Sequence, residues 1–95
     1  MERFLASVNI FVDSTQMDNV LAALSKLKDI EEVYEVAGEY DIVTLVSTST
    51  LEEFREILQK QIMKIKGVKS TITTILLHPH KGFRCQEKTV ITPTN

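Results

Sequence analysis

Gly38, Glu39, Tyr40 and Asp41 stand together between two apolar runs, and their types suit the holding of a small polar ligand. Gly38 lets a ligand approach backbone amides without a Cβ in the way, Tyr40 offers a phenol, and Glu39 and Asp41 offer carboxylates. Turns of this composition are common, so a second reading stays open. In it Gly38 only reverses the chain, Tyr40 packs, and Asp41 makes a local backbone bond. Further on, Gly67-Val68-Lys69-Ser70-Thr71-Ile72-Thr73-Thr74 adds the hydroxyls of Ser70, Thr71 and Thr73 as candidate contacts.

No catalytic set emerges from the remaining reactive side chains. His78 and His80 flank Pro79, and no serine or cysteine nucleophile is tied to them by spacing. With Cys85 they would make three ligands of types that suit zinc or copper. The spacing fits no standard site, and Pro79 pushes its neighbours into an extended form, so neither metal nor cofactor is expected. Lys60, Lys64, Lys66 and Lys69 gather near the end of a helix, where cations favour the helix dipole. Glu31, Glu32 and Glu35 read as the solvated part of an edge strand, where charge discourages unwanted pairing.

The elements that must position these groups form one domain of a 95-residue chain, with its core in residues 1–78 and a tail from 79 to 95. A net charge of −2 and a pI near 5.6, without a basic run, argue against direct nucleic-acid binding. Cys85 is the single cysteine, so no disulfide forms within the chain. The first residues lack the pattern of a signal peptide, and no apolar run approaches the roughly 18 residues of a membrane span, so a cytoplasmic protein is expected.

Phe4–Val12 alternates as a strand, with Ala6, Val8, Ile10 and Val12 on one face. Asp13-Ser14-Thr15 then opens a helix, with Thr15 and Asp18 spaced as a capping pair and Met17, Val20, Leu21, Leu24 and Leu27 along its stripe. Residues 30–37 read as a more polar strand. Residues 40–47 read as a strand apolar on both faces and hence buried on both. Ser49/Glu52 and Thr50/Glu53 offer caps for a second helix carrying Leu51, Phe54, Ile57, Leu58, Ile62 and Ile65, ended by Gly67. A last strand covers residues 68–78. The order is that of a ferredoxin-like βαββαβ fold, an α+β architecture with two helices on one face of a four-stranded antiparallel sheet. The other face is left bare, with Phe11, groups of the third strand and Ile75 or Leu77 expected on it, and such a face predicts a dimer. In the tail, Thr89-Val90-Ile91-Thr92 favours an added strand or partner contact.

Residues 5–77 resemble the ligand-binding (RAM) domain of the Lrp/AsnC family of amino-acid-responsive transcription regulators. The resemblance rests on Ala37-Gly38-Glu39-Tyr40-Asp41 before an apolar strand, and on Ile65-Lys66-Gly67-Val68-Lys69-Ser70-Thr71-Ile72-Thr73. It implies dimers paired across their sheets, rings of octameric or decameric size, and an amino-acid effector bound between dimers. The turn residues and the last-strand hydroxyls would supply the contacts, with Asp41 on an ammonium, amides near Gly38 on a carboxylate, and Tyr40, Thr71 and Thr73 adding hydroxyl bonds. Family regulators carry an N-terminal helix-turn-helix domain, whereas this sequence opens at the first strand. The expectation is therefore a non-enzymatic stand-alone module, acting through its ligand or by co-assembly with a full-length regulator. Two other readings stand beside it, a small dimeric ferredoxin-like oxygenase or isomerase and a ligand-free structural adaptor. Such an enzyme would need an inward histidine or acid on its sheet, and His78 lies at a strand end.

Overall fold

Buried and half-buried residues alternate along Phe4–Val12, an inner strand, β1, whose Ala6, Val8 and Ile10 are completely buried. In the computed structural model, which describes residues 3–82, a short 3₁₀ turn at Ser14–Gln16 leads into α1 at Met17–Ser25. There follow β2 at Ile30–Glu35, β3 at Ile42–Thr48, α2 at Leu51–Ile57, a π-helical turn at Leu58–Ile62 and β4 at Val68–Leu76. The sheet order is β2-β3-β1-β4 and every pairing is antiparallel, which is the ferredoxin-like arrangement. Val20 and Leu24 of α1, Phe54 and Ile57 of α2, and Ile62 pack on the even-numbered residues of β1 and β3, so both helices cover one side of the sheet.

The first helix is capped differently from expectation. Asp13 Oδ1 accepts the Thr15 amide at 3.0 Å and the Thr15 hydroxyl at 2.9 Å. Asp13 therefore caps the 3₁₀ turn, while the residue before α1, Gln16, makes no side-chain cap, so the Thr15/Asp18 pair does not form. The bond from the Thr15 amide, then that from its hydroxyl, with Lys69 nearby, holds the Asp13 carboxyl below its usual range. This cap is in place at neutral pH and is lost as pH falls through that lowered range.

At α2 the Thr50/Glu53 pair holds. Thr50 Oγ1 accepts the Glu53 amide at 3.1 Å, and Glu53 Oε1 accepts the Ser49 amide at 3.0 Å. The helix then takes an extra residue per turn, with the Met63 amide donating to the Leu58 carbonyl at 2.9 Å, and this keeps Ile62 fully buried. Gly67 closes the connection at φ +108°, its carbonyl accepting the Asp13 amide at 2.9 Å. A Cβ there would collide with the Cβ of Gln16 and press on Val20 Cγ2 at 3.0 Å.

Pairing settles which strand residues face the helices. Ala6, Val8 and Ile10 stand opposite Ile75, Thr73 and Thr71, so those β4 residues lie on the helix side. The bare face carries Ile72 and Leu76 instead of the Ile75 or Leu77 expected from sequence. Leu5, Phe11, Val43, Leu45 and Tyr34 complete it. Val43 and Leu45 are only half-buried, so β3 is covered on one side rather than both. Ser7, Asn9, Ser70 and Thr74 are interspersed on the same face.

Candidate functional site

The β2–β3 connection is held from three directions. The Val36 amide donates to the Asp41 carbonyl at 3.1 Å, and the Asp41 amide donates to the Ile10 carbonyl at 3.1 Å. Asp41 Oδ2 accepts the Val12 amide at 2.8 Å, at the point where the β1–β4 register shifts between Phe11 and Val12. A carboxylate on a backbone N–H is a charge-assisted bond, stronger than its neutral counterpart. It ties the base of the turn to the end of β1. The Tyr40 ring packs on Phe11, with centroids 5.2 Å apart and planes tilted by 57°. Both residues therefore have structural partners, as the second reading of the turn allows.

The tip of the turn is different. Ala37, Gly38 and Glu39 are exposed, and a Cβ placed on Gly38 would meet nothing within 4 Å. Gly38 does not take a positive φ either, so the fold itself does not demand glycine there. Gly38→Ala is accordingly expected to change stability by no more than about 1 kcal/mol, read by thermal denaturation. Any larger effect on ligand binding would mark close approach of a ligand to the backbone.

The last-strand hydroxyls divide between the two sides of the sheet. Thr71 and Thr73 lie half-buried on the helix side, across from Ile10 and Val8. Ser70 is exposed on the open face across from Phe11, so Ser70 and Tyr40 flank the same ring. Within one protomer the structure groups Tyr40 with Ser70 around Phe11, sets Asp41 on Val12, leaves Gly38 and Glu39 at the tip, and separates Thr71 and Thr73 from them. Phe11 and the Val12 amide are the two members of this cluster that sequence spacing did not single out.

Elsewhere, a depression between the α1–β2 connection and α2 is lined by Lys28, Asp29, Glu52, Glu53 and Glu56, and it contains none of the turn residues. Among the described residues no three histidine, cysteine or acidic side chains gather as metal ligands. His78 and His80 are exposed, whereas Cys85 and Thr89-Val90-Ile91-Thr92 lie outside the described residues. No described helix is long and apolar enough to cross a membrane.

Residues 5–84 match the model of the Lrp/AsnC ligand binding domain. The HTH-type transcriptional regulator FL11 of Pyrococcus furiosus is 38% identical over 77 residues, covering 81% of this chain and 50% of its own. A homocitrate synthase of Sulfolobus acidocaldarius is 31% identical over 77 residues, covering 80% of this chain and 16% of its own. Among solved structures, the feast or famine regulatory protein of M. tuberculosis complexed with L-methionine is similar with a TM-score of 0.73 and 32% identity, over 85% of this chain and 54% of that one. The chain thus spans about half the length of the curated regulators it matches.

Proposed function

The chain belongs to the Lrp/AsnC family through its ligand-binding domain, and from that premise we propose that it is a non-catalytic module that senses a free amino acid. The observation that carries this reading is the anchored turn. Its base is fixed by Asp41 on the Val12 amide, while the tip amides around Gly38 stay open. Exposed N–H groups at the tip suit a carboxylate, and the second Asp41 oxygen suits an ammonium. The solved relative in complex with L-methionine makes that amino acid the first ligand to test.

The helix side of the sheet supports the non-catalytic reading over an oxygenase or isomerase. Its buried positions on the inner strands are Ala6, Val8, Ile10, Val12, Ile42, Thr44, Val46 and Thr48, a packed layer whose two hydroxyls donate to backbone carbonyls, Thr44 to Val8 at 3.0 Å and Thr48 to Thr50 at 2.8 Å. Likeness to both a transcriptional regulator and a homocitrate synthase also favours a sensing part that serves different outputs.

In this reading the open sheet face is covered by a second copy of the chain. Ile72, Leu76 and Tyr34 are exposed on it beside half-buried Leu5, Phe11, Val43 and Leu45. Among the described strand residues, Glu32 is the charged side chain placed there by its register, and its carboxylate accepts the Tyr34 hydroxyl at 2.8 Å. Just before β1, Arg3 reaches the same face, its guanidinium donating to Ser47 Oγ at 2.9 Å, where Ser47 stands across from Leu5. With charges of both signs at its margins, the face meets its own copy without net like-charge repulsion. Assembly of such dimers into octameric or decameric rings would set turn tips of neighbouring dimers together and complete a site that one protomer leaves open. Co-assembly with a full-length Lrp/AsnC regulator would pass the signal to DNA.

Asp41→Asn tests the site. Asparagine keeps an oxygen for the Val12 amide but lacks the charge, so folding should be largely retained. Calorimetric affinity for L-methionine, or for whichever of the twenty amino acids shifts the melting temperature, should fall roughly 10-fold to 150-fold, the worth of a charged hydrogen bond. Unchanged affinity in a folded variant would reduce Asp41 to a turn residue and move the site elsewhere.

A further inference from the structure

We infer that Ser7 and Asn9 fix the register in which a second copy of this chain packs on the open face, a step that rests on the pairing proposed above. Both residues lie at the middle of β1, an inner strand. Ser7 Oγ donates to Asn9 Oδ1 at 3.4 Å, which engages the amide oxygen and leaves Asn9 Nδ2 without a protein acceptor among the described residues. The surroundings on that face are mostly apolar. Asn9 stands across from Val43 and Ile72, and Ser7 across from Leu45 and Thr74.

Against water the amide donates freely. Once another protein covers the face, that water is gone, and a buried donor without an acceptor is strongly disfavoured. Apolar groups tolerate sliding because any apolar neighbour satisfies them, but the amide does not. The covering surface must therefore bring an acceptor to the middle of β1. A second copy related by a two-fold axis near Val8 brings its own Ser7, Asn9 and Thr74 there, whereas a displaced copy sets the amide against Leu5, Val43 or Ile72. A lone asparagine in a coiled-coil seam selects register by the same physics.

The test uses the full chain with Cys85→Ser and Asp18→Cys, so that a spin label sits on an exposed position of α1, away from the face. Sedimentation should show a dimer, alone or as the unit of a larger ring, and the shortest label-to-label distance should give one narrow peak. Asn9→Leu should tighten the dimer roughly 10-fold while splitting or broadening that peak, since the apolar pairing gains and its selector is gone. Asn9→Thr, which keeps a hydroxyl donor, should restore a single peak. A monomeric parent chain at micromolar concentration would overturn the pairing itself. A dimeric parent whose Asn9→Leu variant keeps the same single distance, or no longer pairs while remaining folded by circular dichroism, would overturn the role of Asn9 alone.

Discussion

Gly67→Ala is expected to destabilise the fold by about 2–5 kcal/mol, more than the same change at Gly38 or Gly82, where the added methyl meets nothing within 4 Å. Alanine at φ +108° carries a left-handed backbone penalty of about 1–2 kcal/mol. The new methyl also strikes Gln16 Cβ, an atom fixed next to the backbone at the start of α1, and meets Val20, which is fully buried. Overpacking of this sort costs a further 1–3 kcal/mol or so. The α1 end cannot simply retreat, because the Asp13 amide bonds the Gly67 carbonyl and Asn19 Nδ2 bonds the Lys66 carbonyl at 2.9 Å. For a domain of this size the melting temperature should drop by roughly 10–30 °C. Gly38→Ala is the matched control. A drop of less than about 5 °C in Gly67→Ala would mean that the β4 entry has slack which the packing against Gln16 denies.

Ile72→Asp should dissociate the proposed dimer while leaving the protomer folded. Ile72 is 46% exposed in the single chain, so an aspartate there is solvated as long as the face is open. In a face-to-face pair the same carboxylate is buried without a partner, at a cost of about 3–5 kcal/mol. That is at least about two orders of magnitude in the dissociation constant. Leu51, equally exposed at 51% but at the start of α2, provides the comparison, and Leu51→Asp should leave assembly unchanged. Equal mass by light scattering for the parent chain and Ile72→Asp at micromolar concentration would refute the interface.

Much of the fold was legible because β1 and the helices obey a single period each. The polar Ser7 and Asn9 between Ala6, Val8 and Ile10 mark the buried face of β1 without help from elsewhere. In β4 the two faces separate correctly by parity, yet isoleucines and threonines occur on both, so nothing local says which face meets the helices. That choice is made by pairing of Ala6 with Ile75, more than sixty residues away in sequence. The Thr15/Asp18 spacing was equally ambiguous, since Asp13 reaches the Thr15 amide first and builds a 3₁₀ turn ahead of α1. The turn residues were visible by type, but the partner of Asp41 was not. The Val12 amide lies 29 residues upstream and becomes available only where β1 and β4 shift register.

The Asp41 bond has a consequence for how such a module changes over time. Because the stem of the turn is clamped to β1, the tip at Ala37, Gly38 and Glu39 contributes little packing of its own, and a side chain added at Gly38 points into open space. Substitutions at the tip are nearly free of folding cost, while the stem keeps whatever replaces them in a fixed position. On the proposed reading, binding preference could therefore drift from one ligand to another without passing through unstable intermediates, and the same scaffold could be inherited by proteins with unrelated outputs.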